Sequence, residues 1–126
     1  MSNQGNTTTG DGLRKDPVLR VEAVGTACVV SLGGELDLYN AEQVRTALVT
    51  ACTDSPERII VDLAEVDFMD STALGVLIEA RTKLDNRQAF LLAAPGVETK
   101  RALQISGLDR HFTVHNTVSE ALVAKV

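Results

Sequence analysis

The chain has 126 residues, 44% of them apolar, and a formal net charge of −5. That length sets one domain with room for its own core, and the acidic balance excludes a nucleic-acid binder, which needs a basic patch against phosphates. No apolar run reaches the ~20 residues of a membrane span, no Lys/Arg cluster marks a membrane surface, and the start MSNQGNTTTG lacks the basic and apolar regions of a signal peptide, so a cytoplasmic protein is expected.

Residues 1–17 are Ser, Asn, Gln, Gly and Thr followed by a few charges, a composition that reads as a disordered tail, with the domain proper at 18–126. Val18 to Val24 and Ala27 to Leu32 read as two strands joined by a short Gly25-Thr26 hairpin turn. Gly33-Gly34 then eases a sharp change of direction ahead of Glu35-Leu36-Asp37. Asn40 is placed to cap a helix, with Gln43 as its capping-box partner, and Ala41, Val44, Leu48 and Ala51 line one face of that helix as far as Thr53. Arg58 to Leu63 reads as a central strand.

Val66 to Ala80 (VDFMDSTALGVLIEA) follows, the end of a half-buried strand delivering Asp70, Ser71 and Thr72 to the first turn of a helix that runs to about Asp85. Ala73, Leu77, Ala80 and Leu84, with Leu74 and Ile78 beside them, form its expected core face, leaving Val76 as a lone apolar residue toward water. Ala89 to Ala93 is a further strand. Val97 to Ser106 is a helix closed by Gly107 in the left-handed cap position, with Leu108 as a hydrophobic contact. A short strand around Phe112 and Val114 precedes a last helix opened by a Thr117/Glu120 capping box. Strands alternating with helices imply crossovers, so the fold class is α/β: a mixed, largely parallel sheet of about five strands with about four helices packed against it.

Enzyme chemistry finds little footing. A nucleophilic Ser71 needs a base, and the histidines, His111 and His115, flank a late strand; the order Met69-Asp70-Ser71-Thr72-Ala73 is no G-x-S-x-G elbow. Those histidines sit at i, i+4, a metal-pair spacing only on a helix, so no metal or catalytic site is assigned. Gly33-Gly34-Glu35 lacks both phosphate-loop patterns, and no cofactor is expected. Cys28 and Cys52 read as free thiols. In the Asp70-Ser71-Thr72 triplet one side chain is accounted for as a helix N-cap. A single cap does not account for all three, nor for mid-helix Gly75, which costs roughly 1 kcal/mol against Ala unless something approaches closely, either a partner or another element of the chain.

Phe68-Met69-Asp70-Ser71-Thr72-Ala73-Leu74-Gly75-Val76 resembles the signature of STAS domains of the anti-sigma factor antagonist family, in which Asp-Ser-Ser/Thr-Gly-Leu-Gly follows a strand. Gly34-Glu35-Leu36-Asp37 and Ser106-Gly107-Leu108 match two further pieces in the family's order, with Ala73 standing where the family usually has Gly. The resemblance implies the STAS fold and a regulatory switch that is no enzyme. In that switch the unmodified protein binds an anti-sigma factor of histidine-kinase-like ATPase fold, freeing a sigma factor. That partner phosphorylates Ser71, with Thr72 as the alternative acceptor, and binding is lost; a metal-dependent serine/threonine phosphatase restores it. Glu35, Asp37, Asp70, Ser71, Thr72, Gly75 and Val76 are the expected partner surface. The competing expectation is a STAS scaffold or transport-accessory subunit never modified at Ser71.

Overall fold

The computed structural model describes residues 15–126. Its elements are β1 (Val18–Val24), β2 (Ala27–Leu36), α1 (Ala41–Thr53), β3 (Arg58–Met69), α2 (Ser71–Arg81), β4 (Phe90–Ala93), α3 (Val97–Ser106), β5 (Thr113–His115) and α4 (Val118–Val123), with short 3-10 turns at Arg87–Ala89 and Leu108–Arg110. The five strands form one sheet in the order β1-β2-β3-β4-β5. The β1–β2 hairpin is antiparallel and every other pair is parallel, the mixed sheet expected from the alternation of elements.

Consecutive residues of the central strands face opposite sides of the sheet. Val30, Ile59, Val61, Phe90 and Leu92 pack in one cluster with Val44 and Leu48 of α1, Leu77 and Ala80 of α2, and Leu103 of α3. Val29, Ile60, Leu91 and Ala93 turn the other way, beneath Ala121 of α4. Both faces of the inner strands are thus covered, which explains their nearly unbroken apolar sequences. Cys52 is buried and its thiol donates to the Ala80 carbonyl across 3.6 Å. Burial pushes the Cys28 and Cys52 thiols upward, with Asp54 adding to the first and Cys28 to the second, so both stay protonated and unreactive at neutral pH.

Several boundaries differ from expectation. Residues 1–14 of the proposed tail lie outside the described residues, but its last residues are fixed in place. Pro17 is buried and its carbonyl accepts from Gly33 N at 3.0 Å, while Asp16 accepts from Val18 N at 2.9 Å. Gly33 and Gly34 do not turn the chain. They continue β2 alongside β3 through two register shifts, and Gly34 takes φ +76, a left-handed value that glycine adopts without strain. Arg58–Met69 is one strand because this extension of β2 gives its second half a partner. Gly107 closes α3 with φ +79, and Leu108 is buried after it. Thr117 Oγ1 accepts from Glu120 N at 3.0 Å, and Glu120 Oε1 accepts from Asn116 N at 3.2 Å.

Candidate functional site

The site is built where β2 and β3 end side by side. Leu36 pairs with Met69, and Asp70 N donates to the Leu36 carbonyl at 3.0 Å, so the ladder runs up to the first residue beyond β3. Asp70 is the N-cap of α2. Its backbone is extended (φ −89, ψ 179), Oδ1 accepts from Ala73 N at 3.0 Å, and Oδ2 accepts from Leu38 N at 3.1 Å. One carboxylate therefore satisfies an orphan N–H of α2 and ties the 37–40 loop to that helix.

This division of labour frees the hydroxyls. With Asp70 as the cap, Ser71 is the first helical residue, is exposed, and makes no side-chain hydrogen bond among the described residues; the same holds for Thr72. Ser71 Oγ projects from a helix N-terminus, where unpaired N–H groups and the dipole favour an added negative charge.

The opposing loop is fixed by Asn40, whose expected role changes. Its side chain makes no cap bond to α1; Oδ1 accepts from Asp37 N at 2.9 Å and Nδ2 donates to the Glu35 carbonyl at 2.8 Å. The capping box with Gln43 does not form because the loop's own orphan groups claim the amide first. Asp37 Oδ1 accepts from Tyr39 N at 3.0 Å, so this half-buried acid shapes the turn. Glu35 is exposed on β2, opposite Phe68 of β3. The structure thus brings Asp37, Asp70, Ser71 and Thr72 together, with Glu35 behind the loop.

Val76 is the correction. It is 7% exposed and belongs to the main core, whereas Ile78, expected inside, is 43% exposed. At 100° per residue Val76 falls just outside an arc centred on Ala73 and Leu77, and α1 covers that flank. Arg45 of α1 donates from Nε to Glu79 Oε2 at 2.8 Å and also pairs with Glu42 at 3.3 Å, binding α1 to the side of α2 that carries Val76. The Glu79 side chain, then its charge and that of Glu42, hold the Arg45 guanidinium above its ordinary pKa. Helix α2 is therefore rotated so that Ser71, Gly75 and Ile78, at i, i+4 and i+7, share the outward face. The helix also ends at Arg81 rather than near Asp85.

Gly75 is exposed, and a Cβ built there meets nothing within 4 Å. No element among the described residues occupies that space, so close approach within the domain does not account for the glycine. Gly75→Ala is accordingly expected to raise stability by roughly 0.5–1 kcal/mol in thermal unfolding, through helix propensity, while weakening any partner seated on this face. A Tm that falls would refute the open-space account.

Around Ser71 the structure adds apolar surface that sequence reasoning missed. Leu38 and Tyr39 in the loop are 65% and 80% exposed, and Phe68 and Ile78 are also exposed. The available signal was Leu38-Tyr39, two large apolar residues between Asp37 and Asn40. His115 lies on β5, two strands or about 10 Å across the sheet from β3, and His111 precedes β5, so no imidazole is placed as a base for Ser71. Among the described residues no group of His, Cys, Asp and Glu is arranged to hold a metal, and no helix is long and apolar enough to cross a membrane.

The comparisons with known proteins agree with this geometry. The STAS domain family model matches residues 19–121. The anti-sigma-F factor antagonist RsfB of Mycobacterium tuberculosis is 33% identical over 94 residues, 75% of this chain and 77% of that protein. An anti-sigma factor antagonist from Mycobacterium paratuberculosis superposes with a TM-score of 0.77 at 33% identity, over 82% of this chain and 88% of that one. SpoIIAA of Bacillus, an anti-sigma factor antagonist, is 28% identical; its unphosphorylated form superposes with a TM-score of 0.69 over 82% of this chain and 91% of its own, its phosphorylated form with 0.62 over 82% and 95%. A five-stranded mixed sheet, a serine freed at the start of α2 and these matches lead to one assignment: the chain belongs to the STAS domain family, among the anti-sigma factor antagonists.

Proposed function

We propose that this protein is a partner-switching regulator whose unmodified form binds an anti-sigma factor and releases the sigma factor held by it. Phosphorylation of Ser71 by that same partner, a serine kinase of histidine-kinase-like ATPase fold, ends the binding, and a metal-dependent serine/threonine phosphatase reverses it. The chain carries out no chemistry itself, needs no cofactor and works in the cytoplasm.

The observation that carries this reading is the division of roles at the start of α2. Asp70 takes the capping role, so the Ser71 hydroxyl stands exposed and unbonded. The expected contact set is revised accordingly. Ser71, Thr72 and Gly75 remain on the surface with Ile78 in place of the buried Val76, flanked by Leu38, Tyr39 and Phe68. Exposed aromatic and aliphatic residues around a polar target make the apolar centre and polar rim of a docking surface. Asp37 and Asp70 shape that surface from behind, and Glu35 lies at its edge. Ala73, in place of the family glycine, is 1% exposed, so its methyl group packs inward and leaves the surface unaltered.

The test is phosphorylation by the partner. Incubated with the anti-sigma factor and ATP, the wild-type protein should gain one phosphate by mass spectrometry and Ser71→Ala none. A phosphate mapped to Thr72 would move the acceptor by one residue, and no phosphate on either would refute the kinase step.

A further inference from the structure

The far end of the sheet carries a second feature that the switch does not use. Arg81 ends α2, about 15 Å along the helix from Ser71, while Phe90 and Thr113 begin β4 and β5, both parallel to β3. There a cavity of about 580 Å³ is lined by Arg81, Arg87, Arg110 and Lys125, with His111 and Thr113 beside them; it has no acidic side chain, and the carboxylate of Val126 is the anionic group in its lining. Four of the chain's twelve Lys and Arg residues thus meet in one place on a protein of net charge −5.

Every other arginine among the described residues has a partner. Arg20, Arg45 and Arg101 each pair with a glutamate, and Arg58 donates to the Ala121 carbonyl at 2.6 Å. Arg81, Arg87, Arg110 and Lys125 form no ion pair among the described residues. The Arg81 guanidinium is held 5.8 Å above the Phe112 ring, which itself packs 6.0 Å from Phe90. Its Nε is buried with no hydrogen-bond acceptor, a costly condition for a charged donor. The α2 dipole favours Arg81 at its C-terminal end but accounts for none of the other three. Like charges so gathered repel one another, and a bound anion removes that cost.

We propose that this cavity is a binding site for a small polyvalent oxyanion of the phosphate class, free or as the phosphate chain of a nucleotide. Arginine forks suit such oxygens, giving paired, charge-assisted hydrogen bonds. The site lies at the opposite end of α2 from Ser71, so it is separate from the phosphoacceptor.

The experiment is a titration of the full chain with inorganic pyrophosphate, followed by calorimetry and by amide chemical shifts. Saturable binding is expected, with the largest shifts at Arg87 and at Arg110–Thr113. Arg87→Gln and Arg110→Gln, both exposed positions, should each weaken it roughly tenfold or more, with unchanged thermal unfolding. Arg101→Gln, which removes the same charge from α3, should leave binding unaltered. No saturation, equal binding by Arg87→Gln and Arg110→Gln, or an equal loss in Arg101→Gln would each overturn the proposal. A parallel titration with ADP identifies the source: tighter binding than pyrophosphate supports a nucleotide ligand, and weaker or equal binding supports free polyphosphate.

Discussion

Ser71→Asp is expected to weaken binding to the anti-sigma factor by about 100-fold or more while leaving the fold as stable as wild type or slightly more so. The two effects separate because they act on different surroundings. Inside the chain the new carboxylate sits at the first residue of α2, where unpaired N–H groups and the dipole favour a negative charge by about 0.3–1 kcal/mol. At the docking surface it adds charge and bulk beside Asp70, among exposed Leu38, Tyr39 and Phe68. A charge that must be desolvated against a packed apolar partner costs several kcal/mol, and about 2.7 kcal/mol is already 100-fold. A phosphate, carrying about −1.5 to −2 charges, acts in the same direction with more force. Ser71→Ala removes a hydroxyl that bonds to nothing within the described residues and should bind like wild type. Calorimetry against the anti-sigma factor and thermal unfolding of all three proteins decide the matter. Loss of binding together with a large drop in Tm would attribute the effect to misfolding, and equal affinity of all three would remove Ser71 from the interface.

The parts of this picture legible in the sequence are those set by local chemistry. Helix α3 begins and ends where its periodicity and Gly107 place it, and the Thr117 cap forms as read. The Asp70-Ser71-Thr72 triplet was visible because strand residues, a cap and a helical run follow one another without a gap. What remained hidden depends on neighbours distant in sequence. Val76 and Ile78 exchange places because α1, held by the Arg45–Glu79 pair, covers one flank of α2, and no helical wheel of α2 alone contains that pair. Asn40 has the right identity for a cap, but the 35–37 backbone competes for its amide and wins. The four cations of the far cavity are scattered between positions 81 and 125, so no charge run announces them.

Asp70→Ala should be the most informative single change, because Asp70 joins the two halves of the site. The substitution removes the bond to Ala73 N and the bond to Leu38 N together. A lost N-cap costs about 1 kcal/mol, and a lost hydrogen bond from a charged acceptor to a backbone N–H adds about another. Destabilisation near 2 kcal/mol, a Tm lower by about 5–10 °C in a domain of this size, is the expected result. Binding should fall as well, even with Ser71 intact and at temperatures where the variant is fully folded, because Leu38 and Tyr39 are no longer held against α2. Asp70→Asn separates the two roles. Its remaining oxygen still caps α2 through Ala73 N, whereas its amide is a donor facing the Leu38 N–H, so stability should largely return and partner affinity should not. If Asp70→Asn restores both, the tie to the loop contributes nothing to recognition, and the docking surface is formed by the face of α2 alone.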